Sequence, residues 1–326
     1  MKSKILEKLK GNEDFISGQE ISKDFHMTRA AIWKYINILR EEGYNIESVP
    51  SKGYRLVSLP DLLTYEEIRE YLDTDFIGRN IHYFDSIDST NKKAKEIALD
   101  EEEGTVLISE EQTDGKGRMG RDWVSPKGKG IWMTIILKPN IEPMKVPKLT
   151  LLGAAAVHKA LDKMGIKTQI KWPNDILIAG KKICGILTEM SGELSMINYI
   201  IMGIGINVNL DEGDIPEELK DKASSLKIST GEEINRKELT ANILNELEKL
   251  YISFKEEDNM DEVLKICREN SILLGEEVKI IRGNDIRLGK AIDIKEDGEL
   301  LVKFEGDNIE SIISGEVSLR GKDYSE

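Results

Sequence analysis

The stretch Gln112–Trp123 reads Gln-Thr-Asp-Gly-Lys-Gly-Arg-Met-Gly-Arg-Asp-Trp and packs three glycines and three cationic residues closely together. Strand-like runs flank it at 105–109 and at 130–137. The connection of roughly 20 residues between these runs is far longer than a hairpin needs, and such loops are usually functional or disordered. Glycines let a backbone close on a ligand, while Lys and Arg donate to phosphate or carboxylate oxygens. The stretch therefore predicts a loop that wraps an anionic, nucleotide-like ligand.

The G-x-G-x-x-G spacing inside this loop does not indicate a dinucleotide-binding fold. That motif must open a helix directly after a strand, and the run that follows it here, Trp123–Gly128, contains a proline and cannot open one. The alternative interpretation is a solvated, flexible surface loop. Arginines at fixed places beside glycines, followed by Trp123, favour the ligand-binding interpretation.

Composition narrows the class of protein. A chain of 326 residues predicts two or three domains with a sizeable core. It has neither an apolar run of membrane-spanning length nor a signal peptide's apolar stretch, so we expect a cytoplasmic protein without membrane contact. Cys184 and Cys267 lie outside any C-x-x-C pattern and the three histidines are scattered, which predicts reduced thiols and no zinc site. A net charge of −14 argues against nucleic-acid binding by the whole chain.

Residues 1–60 differ from the rest, with 10 Lys and Arg against 8 Asp and Glu, compared with 36 against 52 in the remainder. Apolar spacing predicts three helices and then two strands around Pro50–Gly53, which is a winged helix-turn-helix. The candidate DNA contacts lie on the third helix and the wing: Thr28, Arg29, Ala30, Trp33, Lys34, Lys52 and Arg55. The alternative is a helical protein-interaction module. The small positive charge implies that a dimer is needed for useful DNA affinity.

Residues 61–270 predict a central domain of mixed strands and helices. Ser89 and Thr90 precede a basic amphipathic helix, where they can act as its N-cap or as ligand contacts. A Lys-Trp-Pro-Asn-Asp run ends at Asp175, whose carboxylate can cap a turn, hold a magnesium ion or orient a lysine. Strand alternation requires one of Lys181 and Lys182 to face inward, as a candidate functional charge.

Two further features complete the pattern. Gly203 and Gly205 alternate along an apolar strand and leave one face bare, which predicts close approach of a flat ligand or a helix. Short strands separated by Gly, Asp and Asn after residue 270 predict a small β-barrel over 271–326. The predicted fold is therefore α+β and multidomain, with a winged helix-turn-helix (1–60), a central mixed β-sheet with helices (61–270) and a small C-terminal barrel (271–326).

Five motifs occur in order along the chain: Asp88–Asn91, Gln112–Arg121 followed by Trp123, Lys171–Asp175, Lys182–Leu187 and Gly203–Asn207. Their order and spacing resemble those of the biotin protein ligases, specifically the bifunctional group that also represses transcription of the biotin operon. The resemblance implies a class II synthetase-like ligase fold for the central domain and an SH3-like C-terminal domain. It covers nearly the whole chain.

The resemblance implies that biotin and MgATP give biotinyl-5′-adenylate, which a lysine of the biotin carboxyl carrier protein then attacks. Catalysis falls to Lys182 and Arg118. The implied biotin site comprises Ser89, Thr90, Asn91, Gln112, Lys116, Gly117, Arg118 and Lys182. The implied nucleotide site comprises Gly115, Arg118, Arg121, Trp123, Asn174 and Asn207, with Arg320 as a further nucleotide contact and Asp175 as the candidate Mg²⁺ ligand. The resemblance also implies operator DNA as a partner and a homodimer when the adenylate is bound.

One departure from the family pattern lies in the opening loop, where the family commonly has arginine but this chain has Lys116 and Met119. Lysine keeps the charge but loses the bidentate fork of arginine. Two alternative functions remain open at this point. One is a lipoate-type ligase, and the other is a winged-helix regulator that senses a small molecule without ligase activity.

Overall fold

The computed structural model describes residues 1–41, 43–193, 196–282, 285–313 and 316–319. The chain divides into two compact units, of which unit 1 ends at Leu62 and unit 2 begins at Leu63. Across these described ranges, no helix combines the length and the apolar character needed to cross a bilayer.

Unit 1 is a three-helix domain with a two-stranded antiparallel wing. Its elements are α1 Lys2–Lys10, α2 Gly18–Asp24, α3 Arg29–Glu41, β1 Asn45–Val49 and β2 Gly53–Ser58. Thr28 caps α3, because its Oγ1 accepts a hydrogen bond from Ala31 N at 3.2 Å. Ile32, Ile36 and Leu39 recur at helical spacing on α3 and are fully buried in the core of this unit. The predicted winged helix-turn-helix is confirmed.

Unit 2 is built on a mixed seven-stranded sheet with the order β3-β4-β5-β9-β8-β7-β6. Its strands are β3 Ile81–Phe84, β4 Val106–Ser109, β5 Gly130–Leu137, β6 Gln169–Lys171, β7 Asp175–Ile178, β8 Lys181–Glu193 and β9 Met196–Asn207. Its helices are α4 Tyr65–Ile68, α5 Thr90–Ile97, α6 Val146–Lys163, α7 Leu226–Thr230, α8 Arg236–Glu257 and α9 Asp261–Glu269. β3 and β4 run parallel, and the other neighbouring strands are antiparallel.

The two faces of this sheet are covered differently. Helices α6 and α8 pack on one face and form the main apolar core with it. Helix α5 covers only part of the opposite face, through Ala94 and Ala98 packed on β4, β5 and β9. Strand alternation places Gly203 and Gly205 of β9 on this second face. No described helix covers the part of this face beside α5.

The predicted small C-terminal barrel is a five-stranded antiparallel sheet with the order β13-β12-β11-β10-β14. Its strands are β10 Glu277–Arg282, β11 Asp285–Ile294, β12 Leu300–Phe304, β13 Ile309–Ile312 and β14 Glu316–Leu319. Its buried residues share one continuous core with α6 and α9. Trp172, in the turn after β6, donates its indole N–H to Gly298 O at 2.9 Å. The smaller sheet is thus packed against the larger one as part of unit 2.

Candidate functional site

A cavity opens on the sheet face that α5 leaves uncovered. Three stretches that are far apart in sequence line it: the start of α5, the loop between β4 and β5, and the ends of strands β6 to β8. The predicted site residues in its lining are Ser89, Thr90, Asn91, Gln112, Lys116, Gly117, Arg118, Arg121, Trp123, Asn174, Asp175 and Lys182. The fold therefore gathers most of the candidate residues around one space.

One end of the cavity is cationic. Arg118 Nη1 donates to Asn174 Oδ1 at 2.7 Å, which ties the loop to the sheet. Asn174 Nδ2 donates in turn to Ile186 O at 3.1 Å, so the amide oxygen stays turned towards the arginine. Lys171 and Lys222 line the same cavity. This end suits a ligand that carries more than one negative charge.

Lys182 faces the cavity, whereas its neighbour does not. The Nζ atom of Lys182 lies 3.1 Å from Asp175 Oδ1 and 5.2 Å from the centre of the Trp123 ring. Its side chain is only 22% exposed. The Nζ atom of Lys181 donates instead to Lys220 O at 2.6 Å. Of the two candidates, Lys182 is the inward charge that strand alternation requires.

The glycines of β9 make room for side chains of the protein itself. A Cβ built on Gly205 would lie 2.6 Å from Trp123 Nε1, and one on Gly203 would lie 2.2 Å from Asn91 Oδ1. The bare face predicted from these glycines is therefore covered by an indole and by a side chain of helix α5. The Trp123 ring meets the Trp132 ring edge-on at 6.5 Å between centroids. Trp123 Nε1 is buried and has no hydrogen-bond partner among the described residues.

The other end of the cavity is a polar wall formed by Ser89, Thr90, Asn91 and Gln112. Ser89 is the N-cap of α5, since its Oγ accepts from Lys92 N at 3.4 Å, and it lines the cavity as well. The backbone N and the Oγ1 of Thr90 lie 2.9 Å and 3.0 Å from Gln112 Oε1. Capping and lining, offered above as alternatives for Ser89, are compatible in one residue.

Lys116 is held by acidic neighbours in its own loop. Its Nζ lies 2.8 Å from Asp114 Oδ1 and 2.7 Å from Asp122 Oδ1. Hydrogen bonds to these two carboxylates raise the pKa of Lys116 above its ordinary value. Met119, the other departure from the family pattern, is 79% exposed and adopts a positive φ of 58°. The ammonium group of Lys116 is thus already paired with two carboxylates of its own loop, and a ligand would have to compete with them.

A buried ion pair fastens both ends of the loop. Arg236 Nη1 donates to Glu110 Oε2 at 2.8 Å and to Gly130 O at 2.9 Å. The second carboxylate oxygen of Glu110 accepts from Leu63 N at 3.0 Å. Both charged side chains are almost fully buried, where charges persist only when paired and hydrogen-bonded. The ends of the loop are therefore fixed, while Lys116 and Met119 in its middle remain exposed to solvent.

Three candidate residues lie elsewhere. Gly115 allows the two arms of the loop to touch, because a Cβ there would lie 2.6 Å from Trp123 O. Asn207 is buried and donates to Ser224 O at 3.0 Å, so its amide braces a neighbouring segment and does not line the cavity. Arg320 lies outside the described residues.

Sequence reasoning missed several residues of the lining, among them Lys222, Met133 and Leu177. Lys222 reaches the site because its carbonyl oxygen accepts from Lys182 N at 2.8 Å, which draws a distant loop onto the edge of β8. No motif marks Lys222. The two apolar residues belong to runs that were recognisable only as strands.

In unit 1, six of the predicted DNA contacts are exposed: Thr28, Arg29, Ala30, Trp33, Lys34 and Lys52. Trp33 is 59% exposed, unusual for a side chain of its size. Arg55 is half-buried, donates to Glu47 Oε2 at 2.8 Å and lies 4.7 Å above the Phe15 ring. The outer side of α3 is thus exposed and available to a groove of DNA. Arg55, in contrast, already contacts Glu47 and Phe15 within unit 1.

Comparisons with known proteins agree along the chain. Residues 83–207 match the biotin/lipoate A/B protein ligase family, residues 2–55 match an HTH domain, and residues 273–320 match the biotin protein ligase C-terminal domain. The bifunctional ligase/repressor BirA of Bacillus subtilis is 49% identical over 74% of each chain. Its namesake in Escherichia coli is 30% identical over 96% of this chain and 95% of its own length. A biotin protein ligase from Aquifex aeolicus, solved in complex with biotin and ATP, superposes with a TM-score of 0.64 at 36% identity, covering 74% of this chain and 99% of that one.

Proposed function

This chain belongs to the biotin protein ligase family, in its group of bifunctional ligase/repressors, and we propose that the cavity of unit 2 is where it joins biotin to ATP. The chain is a biotin ligase that also carries the helix-turn-helix of a repressor. One observation carries the assignment of the site. Arg118, Asn174 and Lys182, from three separate motifs, meet around a cavity whose other end is a polar wall.

In the first step, a carboxylate oxygen of biotin attacks the α-phosphorus of ATP. An oxygen–phosphorus bond forms, the bond to pyrophosphate breaks, and biotinyl-5′-adenylate results. Both reactants are anions, so cations must offset their repulsion and stabilise the charge that builds on phosphorus. We assign Lys182 to the carboxylate and the α-phosphate oxygens, and Arg118 to the closed loop above them. Donors of this kind typically contribute about 10²–10³ in rate.

The ligand's two ends match the two ends of the cavity. The ring of biotin fits the polar wall at Ser89, Thr90, Asn91 and Gln112, and the nucleotide fits the cationic end, where Arg121 and Asn174 line the space. Trp123 lines the cavity as well, where its ring offers an apolar surface to the ligand. Gly117 gives backbone room beside the adenylate. Gly115 and Asn207 act indirectly, through the loop and through the segment that carries Lys222.

In the second step, the amine of a lysine on the biotin carboxyl carrier protein attacks the acyl carbon of the adenylate. An amide bond forms, the carbon–oxygen bond to AMP breaks, and the amine's proton leaves to solvent. The mixed anhydride is already activated, so the chain needs no covalent nucleophile of its own. Its contribution is to hold the adenylate until the carrier arrives. Arg118 and the loop serve that purpose.

Asp175 is the residue that would hold a Mg²⁺ ion brought by ATP. Its Oδ1 is buried and lies near Lys182, at 3.1 Å, but forms no hydrogen bond among the described residues. Mg²⁺ commonly binds one or two carboxylates together with substrate phosphates and waters. In the described part of the chain no group of three His, Cys, Asp or Glu residues could hold a metal without the nucleotide. One carboxylate beside Lys182 therefore fits an ion that enters with ATP, and such an ion would offset part of the phosphate charge.

The repressor function is assigned to α3 and the wing of unit 1. The exposed side of α3 offers Arg29, Trp33 and Lys34 to a groove, and Lys52 is exposed on the wing. Because unit 1 carries a small net charge, we propose that a homodimer formed with the adenylate is the operator-binding species. Gel-shift titration with biotin and ATP, compared with neither, tests this. Equal operator affinity in both conditions would refute the switch.

Biotin-dependent exchange of labelled pyrophosphate into ATP is the direct test of the catalytic assignment. We expect exchange with biotin and none without it. Exchange with lipoate in place of biotin would establish the lipoate-type alternative, and no exchange with either would leave only a sensing role for unit 2.

A further inference from the structure

Glu189 stands behind the polar wall of the cavity without lining it. It lies on β8, where strand alternation places it on the face that α5 covers, and its Oε2 accepts from Asn91 Nδ2 at 3.1 Å. Its other oxygen pairs with Lys95 Nζ at 2.7 Å, and the side chain is 34% exposed. A carboxylate can only accept hydrogen bonds. The nitrogen of the Asn91 amide must therefore face Glu189, and its oxygen must face the other way.

The orientation of the Asn91 amide determines, one residue after another, where the hydroxyl hydrogens of the polar wall point. Thr134 Oγ1 lies 2.6 Å from Asn91 Oδ1. Because an amide oxygen cannot donate, the single hydroxyl hydrogen of Thr134 must be donated to Asn91. Thr134 also lies 2.8 Å from Thr90 Oγ1, so Thr90 either donates to Thr134 or donates to Gln112 Oε1 at 3.0 Å. In both cases Thr90 keeps no hydrogen for a ligand. It meets the ligand as an acceptor.

The far side of the wall is fixed in the same way. Ser125 Oγ donates to Trp123 O at 3.1 Å, so its oxygen accepts from Gln112 Nε2 at 3.1 Å. The oxygen of Gln112 is thereby turned towards Thr90. Two groups that only accept, the Glu189 carboxylate and the Trp123 carbonyl, together set the direction of the hydrogen bonds between them.

From this network we propose that Glu189 is a positioning residue that makes the wall accept hydrogen bonds, and thereby selects a ligand ring that presents N–H groups. The inference rests on the proposed function, in which that ring is the cyclic urea of biotin with its two N–H donors. Gly203 contributes to the same hydrogen-bond arrangement, because any side chain at this position would displace Asn91. Glu189 acts through Asn91 and touches no ligand.

The decisive substitution is Glu189→Gln, which keeps the shape but adds a donor. The Asn91 amide can then turn over and present an N–H to Thr134 in place of its oxygen. The Thr134 hydroxyl hydrogen is then free to point at Thr90 Oγ1, where it would occupy an acceptor position that the N–H group of the ligand needs. We expect the Kd for biotin, measured by calorimetry, to rise by roughly tenfold, as for a buried donor left without an acceptor. The KM for ATP and the kcat of pyrophosphate exchange should stay within about twofold of the unsubstituted protein, because the cationic end is untouched. Glu189→Asp, which restores an acceptor, should recover part of the affinity.

Two controls separate this role from a general structural one. Lys95→Met removes the ion pair of Glu189 but leaves its acceptor, and should keep biotin affinity within about twofold. In an Asn91→Ala background, Glu189→Gln should have no further effect on affinity, since the amide through which it acts is gone. Unchanged biotin affinity in Glu189→Gln, or an equal loss in both backgrounds, would overturn the inference. Absence of biotin-dependent exchange in the unsubstituted protein would instead refute the proposed function.

Discussion

Substituting Gly205 with alanine should dislodge Trp123 from the floor of the cavity. The added Cβ would lie 2.6 Å from the indole Nε1 and 2.7 Å from Cε2. Non-bonded heavy atoms pack best at about 3.5–4.0 Å, so the ring must retreat by about 1 Å. It cannot do so alone, because Trp123 N donates to Gly115 O at 2.9 Å and the ring packs edge-on against Trp132. The displacement must therefore pass into the loop.

The expected cost follows from overpacking of a well-packed site, which is typically about 1–3 kcal/mol. For a unit of this size each kcal/mol corresponds to a fall in Tm of about 2–4 °C, so we expect a loss of about 2–12 °C. Retention of the adenylate should weaken as well, because Arg118 belongs to the same loop as Trp123. The adenylate should then leave faster, while the first step remains measurable.

Thermal unfolding and a chase of labelled adenylate into excess unlabelled biotin and ATP measure the two effects. Gly213→Ala is the matched control, because an added Cβ there meets no atom of the described residues within 4 Å. Trp123→Leu in the Gly205→Ala background should restore part of the lost stability, since the smaller side chain relieves the clash. A Gly205→Ala protein with unchanged Tm and unchanged adenylate release would show that the indole does not rest on this glycine.

Four further outcomes are expected. Lys182→Ala should lower pyrophosphate exchange by at least about 100-fold, whereas Lys181→Ala, whose ammonium group donates to a backbone carbonyl away from the cavity, should stay near normal; equal losses would mean that the wrong lysine was assigned. Arg118→Gly should release biotinyl-adenylate, which would biotinylate lysines of bystander proteins. Mass spectrometry of an added protein that is not a biotin carrier detects this labelling, and adenylate release at the normal rate would contradict the role of the loop. Lys34→Ala should weaken operator binding and flatten its salt dependence in gel shifts; an unchanged slope would remove Lys34 from the phosphate contacts. Glu246 is buried, which alone would raise its pKa, yet hydrogen bonds from two lysines lower the pKa to about 2. Glu246→Gln should therefore lower the free energy of unfolding at neutral pH, measured by urea unfolding, and this loss should shrink as the pH falls from about 4.5 towards 2. A loss of the same size at pH 2 would refute the linkage.

The sequence predicted the local features that depend on neighbouring residues. The helix-turn-helix followed from apolar spacing and from Thr28 as a cap, and both are present. The loop at Gln112–Trp123 was recognisable because glycines and cations are concentrated in few residues. Choosing Lys182 over Lys181 came from the family resemblance, since alternation alone required only that one of them face inward.

Features that depend on strand pairing could not be predicted from the sequence. Glu189 meets Asn91, 98 positions away in the sequence, only because the register of β8 and β9 sets Glu189 opposite Ile201, two residues before Gly203 on the same face. Lys222 reaches the cavity through a backbone contact with the edge of β8 that no motif marks. The bare face at Gly203 and Gly205 was recognised, and a helix was one of the two expected covers, as Asn91 of α5 is over Gly203. The loop that brings Trp123 over Gly205 was not predicted as a cover, because it is distant in sequence.

The hydrogen bond from Trp172 to Gly298 bears on how the chain can be divided. Trp172 lines the cavity, yet its indole N–H is satisfied by a carbonyl in the turn before β12. A fragment that ends near residue 270 would lose that acceptor, open the indole to solvent and remove apolar residues from the shared core. Truncation would therefore alter the lining of the cavity, to which Val317 of the smaller sheet also belongs. If the cavity is the ligase site proposed above, a minimal ligase cut from this chain has to keep the smaller sheet.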